Sequence, residues 1–156
     1  MRTVKGSFSR AVDPAYRGLA LAGSRSAGRY SPPDIPTLYL SSSPEGVAAA
    51  MIAHADDRNP DLEVLQFDVK ASRIVDLRDH EALKPLGVSP SDAAADWQEA
   101  VAAGDTPASW KVRETLQSLG ANGLIDPSRK RPNLWHLTLF TWNAEGAPSV
   151  REIAVR

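Results

Sequence analysis

Residues 62–77, LEVLQFDVKASRIVDL, carry the pattern that decides the fold class. Apolar and polar side chains alternate from Leu65 to Lys70, and this period of two predicts a strand over 62–70 with one buried face. The apolar segment 72–77 predicts a second strand that pairs with the first. A strand with one buried face is typical of an antiparallel sheet. The segments on either side of it show to which fold class that sheet belongs.

Strands are also predicted on both sides of this stretch, at 14–20, 36–41, 122–126, 133–142 and 148–155. A helix is predicted over 44–55, with Ser43 as its N-cap and Pro44 at its first position. Strands at both ends of the chain with helices between them predict a single α+β domain over 1–156. Its sheet should be largely antiparallel or mixed, without a βαβ repeat.

Two further helices are predicted before residue 122, each with one apolar face. Gly104 ends the first helix; Thr106 and Pro107 open the second, and Gly120 ends it. The apolar faces consist of Ala93, Trp97, Ala100 and Val101 in the first helix, and of Val112, Leu116 and Leu119 in the second.

Composition excludes several classes of protein. Lys and Arg total 18 against 19 Asp and Glu, a net charge of -1, which disfavours nucleic acid and anionic lipid as partners. The chain has no cysteine, so disulfide frameworks, thiolate nucleophiles and cysteine zinc sites are excluded. Its start, MRTVKGSFSR, has no apolar targeting segment, and no apolar run is long enough to span a membrane. We therefore expect a protein of the bacterial cytoplasm.

Common catalytic and binding motifs are missing as well. The stretch GSRSAG (23–28) fits neither a nucleophile elbow nor a dinucleotide-binding loop, and no Walker A sequence occurs. His54, His80 and His136 lie far apart without carboxylates at ligand spacing, so no metal site is expected. The basic run 128–131, SRKR, could contact phosphates, but the charge balance of the chain favours a solvated loop between strands.

A few polar residues in fixed order carry more information. They occur in AYRG (15–18), AGRYS (27–31), LYLSSSPEG (38–46) and LIDPSRKRPN (124–133). This order resembles the RES-domain toxins of RES/Xre toxin–antitoxin systems, proteins of the ParT and MbcT type. The resemblance extends from residue 16 to about 140. It implies a fold similar to that of the diphtheria-toxin type ADP-ribosyltransferases and an activity that consumes NAD.

The resemblance also assigns roles to residues. It implies that Arg17 and Ser128 are the arginine and the serine of the family name and act in catalysis. NAD-contacting positions are Arg17, Arg29, Tyr30, Tyr39, Ser41, Ser42, Ser43 and Ser128. Guanidinium groups suit the diphosphate, tyrosine rings suit the nicotinamide, and hydroxyls followed by a helix start suit a phosphate or carboxamide. Without the resemblance, Ser43 is an N-cap with two spectator serines, and the arginines form surface ion pairs.

The family glutamate is missing from its expected place. It lies about three helical turns beyond the tyrosine, and eleven residues after Tyr39 this sequence has Ala50. Glu45 is the best substitute, because it lies beside the serine corner, although a glutamate in the first turn of a helix is also favoured by the helix dipole. His54, Asp56 and Asp57 are the other candidates.

The sequence-based hypothesis is a toxin that transfers ADP-ribose from NAD to a cellular protein, controlled by a cognate Xre/ParS-type antitoxin. Alternatives are an NAD glycohydrolase or phosphorylase, a module that binds NAD or antitoxin without chemistry, and a nucleic-acid-acting toxin that uses Arg129 to Arg131. Transfer is preferred because an alanine at position 50 makes rapid turnover with water or phosphate harder to explain.

Overall fold

The computed structural model describes residues 1–43, 62–129, 131 and 133–153. Its strands are β1 (Arg2–Val12), β2 (Leu38–Ser41), β3 (Glu63–Asp76), β4 (Gly123–Pro127), β5 (Trp135–Leu139) and β6 (Ser149–Ile153). Helices α1 (His80–Leu83), α2 (Pro90–Ala94), α3 (Trp97–Ala102) and α4 (Ala108–Ser118) separate β3 from β4, and 3₁₀ helices cover Pro14–Leu19 and Lys84–Leu86. None of the helices in these ranges combines the length and the hydropathy needed to cross a membrane.

The sheet is built on β3, which is 14 residues long. One edge of β3 pairs antiparallel with β1, and the other edge pairs antiparallel with β6 and then parallel with β4. β5 lies between β4 and β2 and pairs antiparallel with both. β2 pairs with β1 at Ser9 and Ser41. Strands β1, β2, β5, β4 and β3 thus close into a small barrel. The predicted α+β class with a mixed, mostly antiparallel sheet is confirmed.

The first core fills the inside of this barrel. Phe8 and Phe67 face each other across β1 and β3 and are almost fully buried. Their neighbours in this core are Val4, Val12, Ala20, Leu38, Leu40, Leu65, Val69, Ala71, Ile74, Ile125, Leu137, Leu139 and Val150. Burying a large apolar side chain contributes about 1.5–3 kcal/mol, so this set drives closure of the barrel.

A second core lies where the helices cover the outside of β4 and β5. Val112 and Leu116 of α4 pack there with Leu124 and Phe140. Arg113 is buried in the same layer, donates to the main-chain oxygen of Tyr30 at 2.9 Å and to the Thr37 hydroxyl, and lies over the Phe140 ring. α4 is thereby fastened to the segment that precedes β2.

The strand predicted at 14–20 is wrong: Pro14–Leu19 is a 3₁₀ helix. The Asp13 carboxylate accepts a hydrogen bond from the Ala15 N–H, and Pro14 starts the helix with its fixed φ angle. Tyr16 and Leu19, the apolar residues that suggested a strand, are each 62% exposed. The first strand is β1, and no strand was predicted at Arg2–Val12.

The prediction that 62–70 and 72–77 pair with each other is also wrong, because both belong to β3. A hairpin needs turn residues between its strands, and only Ala71 separates the two segments. The interruption is a β-bulge: the register against β1 shifts between Arg2 and Val4, and Arg73 has a φ of 60°.

The helix with Ala93 and Trp97 on one face divides in two, as α2 and α3. The break occurs because Ala95 is extended and the Asp96 carboxylate caps the N–H groups of Gln98 and Glu99. The second predicted helix, α4, and the strands β2, β4, β5 and β6 are confirmed. The predicted helix 44–55 lies outside the described residues.

Candidate functional site

Three polar side chains form a row across the outer face of the barrel, with Ser41 on β2, His136 on β5 and Asp126 on β4. Ser41 is directly opposite His136 in the β2–β5 register, and His136 is directly opposite Asp126 in the β5–β4 register. Directly paired residues of antiparallel strands project from the same face, so the three side chains are neighbours. The Ser41 Oγ lies 3.0 Å from His136 Nδ1.

Asp126 is fixed at one end of this row by Arg129. The two side chains form a two-pronged ion pair, with N–O distances of 2.8 and 3.4 Å, and the carboxylate is nearly buried. Arg129 also donates to the main-chain oxygen of Ala93 at 3.1 Å. A buried carboxylate held in this way keeps one orientation, so its charge acts from a fixed position.

The guanidinium of Arg29 donates to the same main-chain carbonyl as that of Arg129. It donates to the main-chain oxygens of Ala93 and Ala95 at 2.9 and 2.8 Å. Burial, reinforced by the neighbouring charge of Arg129, lowers the pKa of the Arg29 guanidinium, and Asp126 and Asp96 only partly oppose this. The Trp110 indole N–H donates to the Gly28 carbonyl at 2.8 Å, so α4 holds the backbone that carries Arg29.

Tyr30 and Tyr39 lie in the same layer, where Tyr30 is buried and Tyr39 is half-buried. Tyr30 is 1% exposed, and its buried hydroxyl lies beside the Asp126–Arg129 pair, whose charges act on the pKa of the phenol. The Tyr39 hydroxyl lies 2.6 Å from the Ser31 hydroxyl and accepts a hydrogen bond from the Tyr30 N–H at 3.1 Å. Burial raises the pKa of both phenols, which keeps both rings neutral.

The serines of the predicted corner have different surroundings. Ser41 faces His136, whereas Ser42 continues the pairing with β5: its N–H donates to the Trp135 carbonyl, and its hydroxyl accepts from the Trp135 N–H at 3.3 Å. Ser43 is the last residue described before the gap at 44–61. Glu45 and Ala50, together with His54, Asp56 and Asp57, lie outside the described residues.

Ser128 follows Asp126 by two residues and is 7% exposed. Its hydroxyl accepts a hydrogen bond from the Arg131 N–H at 3.2 Å, and its own N–H donates to the Leu134 carbonyl. Ser128 therefore lies next to the row, where it stabilises the turn between β4 and β5.

Arg17 lies apart from this cluster. It forms ion pairs with Glu63 at the start of β3 and with Glu152 on β6, the latter at 2.6 Å. The hydrogen bond that Arg17 donates to Glu63 raises the pKa of the guanidinium, which is about half exposed. In the described residues, none of the contacts of Arg17 involves the Ser41–His136–Asp126 row.

Arg10, on the unpredicted strand β1, was missed by sequence reasoning. It donates to the Tyr39 carbonyl at 3.3 Å, and its Nε is buried with no partner among the residues described. Burial lowers the pKa of its guanidinium. A signal was present, since Val4, Phe8 and Val12 lie on the same side of an extended chain, but Gly6 and the serines around Phe8 obscure it.

Comparisons with known proteins place these observations in a family. The profile of the RES domain matches residues 2–155. A solved structure, the crystal structure of the M. tuberculosis MbcT–MbcA toxin–antitoxin complex, aligns with a TM-score of 0.62 at 17% identity and covers 97% of this chain and 86% of that chain. At this identity the likeness concerns the fold alone. A comparison with curated proteins gave no match.

Proposed function

The chain belongs to the RES domain family, and on this premise we propose that it is the toxin of a toxin–antitoxin pair and uses NAD as its substrate. The proposed reaction transfers ADP-ribose from NAD to a cellular protein. Its proposed partner is a cognate Xre/ParS-type antitoxin. The structural neighbour, a toxin solved together with its antitoxin, supports this pairing.

One observation carries the proposal of an anionic substrate. Four arginines, Arg10, Arg29, Arg113 and Arg129, contact the backbone of residues 30–39 or of Ala93. Within the described residues, only Arg129 among the four forms an ion pair, and burial lowers the pKa of the other three. Arg113 is buried, and Arg10 and Arg29 are half-buried. Cations shielded from water without counter-ions are costly, and a bound diphosphate would supply two negative charges.

Arg29 and Arg129 are the proposed contacts for the diphosphate of NAD. A guanidinium presents a planar fork of donors that matches phosphate oxygens, and each of these two groups uses only part of its donors on the Ala93 carbonyl. Arg10 is a third proposed contact, since its Nε has no partner in the described residues. Two or three such forks give the affinity, while the fixed backbone around them limits reorganisation on binding.

The aromatic and hydroxyl groups of the cluster are proposed to bind the nicotinamide end. Tyr39 and Tyr30 offer apolar ring faces, and Ser41, Ser42 and Ser43 offer hydroxyl groups that can hydrogen-bond the carboxamide or a phosphate. Tyr30 is 1% exposed and Tyr39 is half-buried, so Tyr39 is the more accessible of the two rings for stacking on nicotinamide. Ser128 stays a proposed contact and catalytic residue by resemblance; its hydroxyl would have to exchange the Arg131 N–H for the ligand.

Arg17 and Glu45 keep their proposed catalytic roles only through the family resemblance. For Arg17, binding NAD would mean exchanging Glu63 and Glu152 for phosphate oxygens. Because an exposed ion pair contributes only about 0–1 kcal/mol, such an exchange is energetically accessible. Glu45 remains the proposed substitute for the family glutamate.

The proposal is tested with purified protein, NAD labelled on the adenine side, and a bacterial lysate as the source of acceptors. Nicotinamide release and label on protein are measured together, with and without lysate. A transferase should release nicotinamide in proportion to the protein labelled, and Arg29→Ala should reduce both. The control is Arg151→Ala, which removes an exposed arginine on β6 and should change neither.

Other outcomes separate the alternatives. Rapid nicotinamide release in buffer, without labelled protein, would identify an NAD glycohydrolase, and release that requires phosphate would identify a phosphorylase. Binding of NAD without any release would identify a binding module. Absence of both binding and release would overturn the proposal.

A further inference from the structure

The side chains of Ser41 and His136 are joined by a hydrogen bond. Residues 38–41 and 136–139 are already joined by the backbone ladder of β2 and β5, and the side-chain contact of 3.0 Å is additional to it. His136 has Asp126 directly across the next strand pair, and Arg129 holds that carboxylate. A hydroxyl, an imidazole and a carboxylate therefore follow one another across three strands.

We propose that His136 is the proton acceptor for ADP-ribose transfer and works through the hydroxyl of Ser41. This inference rests on the proposed function and names a proton acceptor for the transfer step, in a chain that has alanine at position 50, where the family glutamate is expected. It assigns to His136 a role that neither the sequence pattern nor the family resemblance gave it.

The proposed step forms one bond at C1′ of the nicotinamide ribose and breaks another. The acceptor hydroxyl forms a bond to C1′ of the nicotinamide ribose while the bond from C1′ to the nicotinamide nitrogen breaks. The electron pair of the broken bond stays with nicotinamide, which leaves as a neutral molecule. The acceptor loses its proton to Ser41 Oγ as the Ser41 proton moves to His136 Nδ1, so the net product besides ADP-ribosylated acceptor and nicotinamide is one proton on His136.

The surroundings of His136 suit a proton acceptor. The ring is half-buried, and burial lowers its pKa below the ordinary value of 6.5, so at neutral pH it is unprotonated. Among the described residues, the charged groups that act on the ring are Asp126, which opposes this shift, and Arg129, which reinforces it. Asp126 also stabilises the imidazolium that forms when the proton arrives.

Ser41 is the serine of the corner that is placed for this relay. Ser42 is occupied by the backbone of Trp135, as its hydroxyl accepts from the Trp135 N–H. Ser41 lies at the last position of β2, directly before the corner that is proposed to contact NAD, and it is 7% exposed. Its hydroxyl can therefore connect the proposed binding region to the imidazole behind it.

The experiment compares His136→Gln and Ser41→Ala with wild type in nicotinamide release against lysate acceptors, from pH 5 to 9. The wild-type rate should fall on the acid side with an inflection below 6.5, the ordinary pKa of histidine. His136→Gln should lose that inflection and lower the rate about 10²–10⁴-fold, while its NAD affinity is unchanged. Added imidazole should restore part of its rate. Ser41→Ala should also lower the rate of nicotinamide release relative to wild type.

The matched control is His80→Gln, which removes an exposed histidine at the start of α1 and should keep the wild-type pH profile. Because His136→Gln could disturb folding, a second measurement uses wild type alone: the NMR titration of the His136 ring should have the same midpoint as the acid limb of the rate.

An active protein in which folded His136→Gln retains the acid inflection and the rate would overturn this inference while the proposed function stands. A His136 titration midpoint away from the acid limb would do the same. A wild-type protein that releases no nicotinamide with any acceptor would overturn the proposed function itself, and the relay with it.

Discussion

Arg29 and Arg129 donate to the same acceptor, the main-chain oxygen of Ala93, at 2.9 and 3.1 Å. Two guanidinium groups that share one carbonyl lie close together, and the charge of Arg129 is one cause of the lowered pKa of Arg29 after burial. Only Arg129 has a carboxylate in contact, Asp126, among the described residues. The pair is therefore an arrangement whose repulsion an anionic ligand would relieve.

Arg29→Ala should weaken NAD binding by about 1.5–3 kcal/mol, because it removes charge-assisted hydrogen bonds to phosphate. Titration calorimetry measures this change directly. Arg29→Lys should recover only part of the affinity, since an ammonium group keeps the charge but lacks the fork.

Arg151→Ala serves as the control for the same measurement. Arg151 makes a long ion pair of 3.6 Å with Asp68, and both side chains are largely exposed. Equal NAD affinity in Arg29→Ala and Arg151→Ala would contradict a phosphate contact at Arg29.

Gly28→Ala should displace Tyr39 and thereby reduce NAD affinity and stability together. A Cβ at position 28 would lie 2.8 Å from both the Ser31 and the Tyr39 hydroxyl oxygens, well inside van der Waals contact. Overpacking of this kind typically costs about 1–3 kcal/mol. Thermal unfolding and NAD titration measure the two effects.

Gly18→Ala is the matched control, because a Cβ at position 18 meets no atom within 4 Å. It should leave both quantities close to wild type. If both variants behaved alike, the close packing of Gly28 against Tyr39 would not support the site.

The contrast between Tyr39 and Arg10 shows how far the sequence could predict this site. The strands that carry Tyr39, Ser41 and Asp126 were predictable, because each has several apolar residues in an extended pattern. The order of these strands in the sheet was not predictable, because the hydrophobic period does not specify which strand pairs with which. The neighbours of His136 could therefore not be named. Arg10 was missed together with β1, whose apolar residues are spaced four apart.

Arg17 shows a second limit. Sequence order made it a candidate for phosphate binding, but its environment depends on Glu63 and Glu152, which are 46 and 135 residues away in the chain. Likewise, the helix breaks between α2 and α3 because the Asp96 carboxylate caps the start of α3. A stripe of apolar residues does not reveal this cap. Contacts between distant residues and local capping thus account for most of the differences.

Asp76→Asn should destabilise the protein at neutral pH and much less in acid. Burial opposes the charge of Asp76, but the hydrogen bonds from Arg78 and the charges of Arg78 and Arg2 outweigh it and lower the pKa of the carboxyl below its ordinary value. A carboxyl with a lowered folded-state pKa contributes stability above its unfolded pKa, and this contribution is lost as the pH falls through the folded pKa. Asp76→Asn should therefore cost about 1–3 kcal/mol of unfolding free energy at pH 7.

Denaturant unfolding at several pH values measures this difference. Asp68→Asn is the control, because its pair with Arg151 is exposed and should contribute less than about 1 kcal/mol. An Asp76→Asn cost that stays constant from neutral pH to strong acid would contradict the linkage.

Arg10→Met separates a structural role of Arg10 from a ligand-binding role. Methionine fills a similar volume without charge, and replacing a half-buried cation that has no carboxylate partner in the described residues should leave the unfolding free energy unchanged or raise it. NAD affinity should fall by about 1.5–3 kcal/mol if the guanidinium contacts phosphate.

Arg10→Lys, which keeps a charge but cannot reach the Tyr39 carbonyl with the same fork, should lie between wild type and Arg10→Met in affinity. Denaturant unfolding and NAD titration of the three proteins decide the matter: a loss of stability with unchanged NAD affinity would make Arg10 a structural tie between β1 and β2 alone.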